Sequence, residues 1–489
     1  MSYLNNLKEA NNYTITENGA TSHASTLNGL MDLFALGGAY RSRSDDDCIT
    51  LFKKAFEEDE SYAMKCLFYN RDIRGGQGER RFFRVILKWL ANNHSDAVLR
   101  NIKYIPVVGR WDDLYALDGT PLENMAYDFM KQQFLLDLIC KTPSLLAKWL
   151  KSENASSKES RRLARKTIEM FGIRPKMYRK TLTTLRERIK VLERLMSEGR
   201  WDEIEFDKIP SRAGIIYRNA FARNDMTKAR YEAFIKSKET KVNAGALYPV
   251  DVAHRAFRAS RLPYDDPERL TLQKYWDNLP NYYGNREENG IAVVDVSGSM
   301  IGTPMEAAVS LGAYIVEKAH GPFANHFITF SAKPELVEFS GVDITDKLKR
   351  CANADWGMNT NLEAVFDMLL NVALANSTPQ EDMPTRLYIF SDMEFDAALQ
   401  EWGCWEEKSF NPDTLVEGIA KKWAAHGYKM PDIVFWNLNA RQDNIPAIGE
   451  GFSYVSGFSP VMIEQILSGK TGLDLVMEKL NSERYKDIH

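Results

Sequence analysis

The stretch IAVVDVSGSM, residues 291–300, decides how this 489-residue chain is read. It opens as a short, almost wholly apolar run, as a strand buried on both faces requires, and breaks at the small residues Ser297, Gly298 and Ser299. TPMEAAVSLGAYIVEKAH (303–320) follows with helical spacing, then HFITFS (326–331), LEAVFDMLLNVALA (362–375), RLYIFSD (386–392), TLVEGIAKKWAAHG (414–427) and IVFWNL (433–438). Short β-rich runs separated by helical ones predict βαβ units. Residues 286–489 are therefore expected to form an α/β domain with a doubly wound, mostly parallel sheet, entered through the polar stretch GNREENG (284–290).

Upstream the period changes. CITLFKKAFEEDESYAMKCLFY (48–69), ERRFFRVILKWLANN (79–93), MAYDFMKQQFLLDLI (125–139) and MYRKTLTTLRERIKVLERLM (177–196) all space their apolar residues for helices. RGGQGE (74–79), DGTP (118–121), FGIRP (171–175) and EGRWDE (198–203) punctuate them. Amphipathic helices in succession, each needing a neighbour to cover its stripe, predict an all-α helical repeat of HEAT-like type over residues 26–285, behind an N-terminal segment at 1–25.

Composition excludes several classes. With 44% hydrophobic and 27% charged residues the chain buries a large core and is neither disordered nor fibrous. Five scattered cysteines without a CxxC pair argue against a disulfide framework or zinc. MSYLNNLKEANNY lacks a secretory pattern and no apolar run of about 18 residues occurs, so a cytoplasmic protein without membrane contact is expected. The net charge of −4 conceals a division: residues 1–285 carry 47 basic and 37 acidic side chains, and residues 286–489 carry 16 and 30. Residues 151–200 alone hold 15 basic against 6 acidic. Lys158, Arg161, Arg162, Arg165, Lys166, Arg174, Lys176, Arg179, Lys180, Arg186 and Arg188 belong to this run. Such density attracts a phosphate backbone, and Tyr178 is placed to stack on an unpaired base. Read blandly, the same residues are a solvated helix face.

At the carboxyl end of the first strand, Asp295, Ser297 and Ser299 offer one carboxylate and two hydroxyls on alternate residues. These are hard oxygen donors suited to a magnesium-like ion, where open α/β sheets bind ligands. Thr360, opening a helix, and Asp392, ending another buried strand, occupy equivalent edges. A serine-rich turn that only caps the next helix is the plain alternative. Glu394 and Asp396 are expected to be solvated loop carboxylates.

These residues resemble the metal-ion-dependent adhesion site of von Willebrand factor A domains. The resemblance implies that Ser297, Ser299 and Thr360 reach a divalent cation (magnesium, or manganese or calcium) by hydroxyl. Asp295 and Asp392 would then bind directly or through water, and a partner protein's acidic residue would complete the shell. Helical repeats joined to such a domain resemble the Ro ribonucleoprotein (TROVE) architecture, in which a ring of repeats binds single-stranded or small structured RNA. RDIRGGQGER (71–80), VGRWDDL (108–114) and DVSGSM (295–300) together look like an uncharacterised TROVE-related family of viruses and bacteria. Within those motifs the glycines read as a helix-to-helix turn, Glu79 as support for the next helix, and Arg71 and Arg74 as partners of acids or lining of a concave surface. Asp112 or Asp113 reads as a cap, and Trp111 as core.

Catalysis is not expected. The seven histidines show no HExxH spacing, no GxSxG elbow is present, and a hydroxyl-rich donor set lacks the clustered carboxylates of a metal nuclease. The function implied is a non-catalytic RNA-binding scaffold whose second domain recruits a partner through its cation. The alternative is a metal-dependent assembly module without RNA.

Overall fold

The computed structural model describes residues 11–286, 288–330, 333–352, 360–397 and 414–489; Cys404 and the first ten residues of the N-terminal segment lie outside them. Eight strands form two sheets among the described residues. Near the amino terminus β1 (Tyr13–Ile15) and β2 (Thr21–His23) pair as an antiparallel hairpin. The remaining strands are β3 (Gly290–Val294), β4 (His326–Thr329), β5 (Leu336–Glu338), β6 (Arg386–Ser391), β7 (Asp432–Asn437) and β8 (Phe452–Ser456). They form one sheet of order β5-β4-β3-β6-β7-β8, parallel throughout except where β5 runs against β4. The doubly wound α/β expectation holds. Every residue of β3 is buried, as its apolar run requires of a central strand covered on both faces. The order of connection reverses between β3 and β6, and that switch point opens a crevice at their carboxyl ends.

The helical half also forms as expected, with two runs divided by local chemistry. The pattern over 48–69 splits into helices Asp45–Glu58 and Glu60–Arg71 because Asp59 turns extended and its carboxylate accepts the Tyr62 N–H at 2.9 Å, starting a new helix. The pattern over 177–196 splits into Pro175–Arg188 and Leu192–Ser197 where Lys190 takes φ +47°. Helix Arg80–Asn93 buries Phe82, Phe83, Ile86, Leu87 and Leu90, one stripe at helical spacing. Each such side chain contributes roughly 2 kcal/mol on leaving water. The RGGQG turn before it is as tight as its glycines suggest: a Cβ on Gly76 would stand 1.8 Å from the Tyr69 carbonyl oxygen. A second, smaller core gathers Leu192, Leu195, Phe206, Phe221 and Tyr231.

Both ends of the helical half rest on the sheet domain. Helix Gly29–Leu36 packs on β8, where the Ser456 hydroxyl donates to the Phe34 carbonyl at 2.9 Å and accepts the Gly38 N–H at 3.0 Å. At the other end helix Pro249–Ala259 lies on helix Thr303–Lys318. The carboxyl terminus closes the contact from behind, since helix Gly472–Leu480 packs on Gly29–Leu36 and Glu60–Arg71. There the fully buried Asp72 accepts hydrogen bonds from Arg484 Nη2 at 2.7 Å and the Tyr485 hydroxyl at 3.0 Å. No helix among the described residues is long and apolar enough to cross a membrane.

Candidate metal centre and basic face

The chain leaves β3 into Asp295 and β6 into Asp392, so both carboxylates stand at the switch point, and both are buried. Asp295 Oδ1 accepts the Ser297 N–H at 2.8 Å and Oδ2 accepts the Ser391 hydroxyl at 2.7 Å. Burial first, and then the charge of Asp392, lift the Asp295 carboxyl to about 6. The Ser297 and Ser299 hydroxyls lie 3.0 Å apart. Thr360 is 1% exposed, and its hydroxyl lies 2.9 Å from the Glu394 carbonyl oxygen and 3.0 Å from Asp396 Oδ1, a choice of two acceptors for one proton. Two carboxylates kept close in a buried place, with neutral hydroxyls beside them, are a donor set that fits a hard divalent cation.

A hairpin absent from the sequence reading covers this edge. The turn between β1 and β2 bonds to the loop after β6 and to Thr360, just before helix Leu362–Asn376. Thr16 Oγ1 donates to the Phe395 carbonyl at 2.7 Å, the Glu17 N–H to Glu394 Oε2 at 2.7 Å, Asn18 Nδ2 to Thr360 Oγ1 at 2.9 Å, and the Ala397 N–H to the Asn18 carbonyl at 3.1 Å. On its other side β2 exchanges backbone hydrogen bonds with Ile445 at 2.9 Å. Glu394 is therefore not a solvated loop carboxylate. It is fully buried, accepts from Asn444 Nδ2 at 2.8 Å as well as from Glu17, and burial raises its pKa. Asp396 is half-buried. Arg441, in the loop after β7, bridges the hairpin to the centre: Nη1 lies 2.5 Å from Glu17 Oε2, and Nη2 lies 3.2 Å from Asp392 Oδ2. The hairpin had a sequence signal in Asn18-Gly19 between YTI and TSH, the dipeptide of tight β-turns. Arg441 had none.

The basic run divides by what each side chain touches. Arg186 donates to the carbonyls of Ala147 at 2.9 Å and Leu150 at 3.0 Å, and Arg188 to that of Asp137 at 2.9 Å, at the end of helix Glu123–Ile139. Arg161 likewise donates to the carbonyls of Ala155 and Ser156 at 2.6 and 2.7 Å. These three clamp the backbone, where cations offset helix carboxyl termini and open carbonyls. Arg162 pairs with Glu159 at 2.7 Å and Asp118 at 2.5 Å, Lys166 with Glu123 at 2.8 Å, and Arg179 with Glu153 at 2.7 Å. Lys158, Arg165, Arg174, Lys176 and Lys180 are exposed with no acidic partner among the described residues. An open concavity of about 490 Å³ runs along Lys158, Arg161, Arg162, Arg165, Lys166 and Glu169. Tyr178 is not available to a base: it is fully buried, and its hydroxyl donates to the Lys151 carbonyl at 2.7 Å.

The two motifs of the helical half meet in space. Arg71 Nη2 pairs with Asp113 Oδ2 at 2.7 Å in a buried contact, and Arg84 spans Asp113 at 2.7 Å and Asp112 at 3.0 Å. Arg110 reaches Asp112 at 3.0 Å, and its guanidinium stands 4.0 Å from the centroid of the Trp149 ring. Asp113 also accepts the Arg110 N–H at 2.9 Å, the expected cap, and Trp111 is buried against Phe129. Glu79 does not cap the helix it precedes; its carboxylate pairs with Arg41.

Residues 16–118 and 136–280, half of the chain, match the family model described as "Domain of unknown function (DUF2828)", and residues 289–488 match "Domain of unknown function (DUF7788)". The chain is 29% identical over 504 residues to "Uncharacterized protein L728" of Acanthamoeba polyphaga mimivirus, covering 94% of this chain and 85% of that protein. Among solved structures it is similar to the Deinococcus radiodurans RO (RSR) protein, with a TM-score of 0.48 and 15% identity, over 94% of this chain and all of the other.

Proposed function

This chain belongs to the family described as "Domain of unknown function (DUF2828)", and we propose that it is a non-catalytic RNA-binding scaffold whose sheet domain captures an acidic partner through a divalent cation. The observation that carries the reading is the division of surface chemistry: unpaired cations on adjacent helices of one half, and a buried oxygen-donor set on the other. Lys158, Arg165, Arg174, Lys176 and Lys180 supply the exposed charge that a phosphate backbone neutralises. Asp295, Ser297, Ser299, Thr360 and Asp392 supply the oxygens for magnesium, or for manganese or calcium. When bound, such an ion supplies a positive centre with a coordination position for a partner's carboxylate. Asp295 and Asp392 carry the charge that holds it, the hydroxyls leave that charge incompletely cancelled, and Arg441 steadies one oxygen of Asp392.

The second reading, a metal-dependent assembly module without RNA, draws on the ion pairs of Arg162, Lys166 and Arg179. Fluorescence anisotropy with a labelled RNA hairpin bearing a single-stranded tail separates the two. The full chain is compared with a variant carrying glutamate at 158, 165, 174, 176 and 180. Loss of binding in the variant supports the scaffold. Equal affinity of the two proteins removes RNA from this face, and no binding by either leaves the assembly reading.

A further inference from the structure

Arg441 holds two carboxylates at once, one buried and one exposed. Its Nε and Nη2 both lie 3.2 Å from Oδ2 of Asp392, which is 1% exposed, and its Nη1 lies 2.5 Å from Oε2 of Glu17 in the hairpin turn. The Arg441 and Glu17 side chains keep 31% and 38% of their surface in solvent, so the pair is reached from water beside the buried donor set.

The two partners are held with unequal firmness. The loop that carries Arg441 is tied to the helical half: the Arg441 carbonyl accepts from Arg43 Nη1 at 2.5 Å, the Ala440 N–H donates to the Ala39 carbonyl at 3.3 Å, and the Tyr40 hydroxyl bonds to Asp443. With Asp392 on one edge of it, the guanidinium is aimed before any ligand arrives. Glu17 is fixed through its backbone, whose N–H goes to Glu394, while its carboxylate rests on Arg441 in an exposed pair of the kind that water and salt weaken. That carboxylate can turn into solvent and leave the hairpin's hydrogen bonds to the sheet domain intact. The surroundings also give the arginine a task. Asp295, Asp392 and Glu394 are buried at this edge with Asp396 beside them, and an acid arriving here meets their repulsion unless cations receive it.

We infer that Arg441 is a second carboxylate seat of the partner-binding site, filled in the isolated chain by Glu17, so that the site fits an acidic segment with two carboxylates, one for the cation and one that displaces Glu17 from Arg441. This rests on the cation-dependent capture of an acidic partner given above and adds the number of acids that the partner brings. Charge-assisted pairing to a planar guanidinium favours a carboxylate over a neutral amide at the second place.

The test uses the full chain in saturating manganese, with loading read by calorimetry, and two labelled peptides. One is Gly-Ser-Glu-Gly-Glu-Ser-Gly, whose glutamates share one face of an extended chain; the other carries glutamine in place of the second glutamate. Glu17→Gln is expected to tighten binding of the two-acid peptide about two- to fivefold, because the seat is empty. Arg441→Gln is expected to weaken it about tenfold and to abolish its advantage over the one-acid peptide, a difference that a structural role of Arg441 would not move. Glu17→Gln decides alone should Arg441→Gln fail to fold. Equal affinity of the two peptides for both the wild type and Glu17→Gln overturns the inference and leaves capture of a single acid in place. Manganese loading with neither peptide bound by the wild type or by Glu17→Gln overturns acid capture and this inference with it, as does a wild type that binds no manganese.

Discussion

The side-chain amide of Asn18 donates to the hydroxyl of Thr360 at 2.9 Å, joining positions 342 residues apart. The same amide donates to the Glu394 carbonyl at 2.6 Å, so one side chain ties the amino-terminal hairpin to the start of helix Leu362–Asn376 and to the loop after β6. Asn18→Ala removes both bonds and leaves the carbonyl with Thr360 as its donor. The expected loss is about 1–2 kcal/mol in the opening free energy of the hairpin. Hydrogen exchange measures it: amides of residues 13–23 and 394–397 should exchange faster, while those of β3 and β7 stay protected. Equal exchange in the hairpin would show that Asn18 does not hold it.

Asp295 and Asp392 repel each other inside the fold, and a cation is what their closeness is suited to. Asp295→Asn keeps the shape and both hydrogen-bond contacts within reach but removes the repulsion. The expected outcome is loss of manganese binding by calorimetry, with a melting temperature equal to or above that of the wild type. A variant that still binds manganese as tightly would place the ion elsewhere.

Lys479 tests how the carboxyl-terminal segment is seated. It is 7% exposed, and burial, opposed by Asp72 and Glu464, lowers its pKa from 10.5 to about 8. Between those values the unfolded chain holds a proton that the folded chain has lost, so this group's contribution to stability rises with pH across that window. Below it, both states are charged and the full cost, roughly 2–3 kcal/mol, is present. Lys479→Met should therefore be more stable than wild type at pH 7, and the advantage should shrink toward pH 10. Urea unfolding of both proteins at the two pH values measures this, and an advantage independent of pH would contradict the burial of a charged amine.

The fold was legible where periodicity and burial agree. IAVVDV could be only a doubly covered strand, and the helical stripes around Phe82 and Phe83 could be satisfied only by neighbouring helices. Asp295, Ser297 and Asp392 were legible as candidates because strand ends at a switch point have a common fate. What periodicity does not carry is pairing between distant polar groups. The burial of Glu394 depends on Glu17 and Asn444, and the position of Arg441 depends on Asp392 and Glu17; neither leaves a local pattern. The same reason hid the division of the basic run. Charge density announces Arg186 and Lys180 alike, while only tertiary contact turns one to backbone carbonyls and the other to solvent.

The salt dependence of RNA binding bears most directly on the proposed function. Titrating labelled single-stranded RNA with the full chain between about 50 and 200 mM salt reads the number of phosphates neutralised. Five unpartnered cations on the basic face correspond to a slope of log K against log salt near −3 or steeper. That slope, lost on charge reversal of those five residues, is the expected result. A slope near zero, or no binding at the lowest salt, would contradict an RNA-binding scaffold.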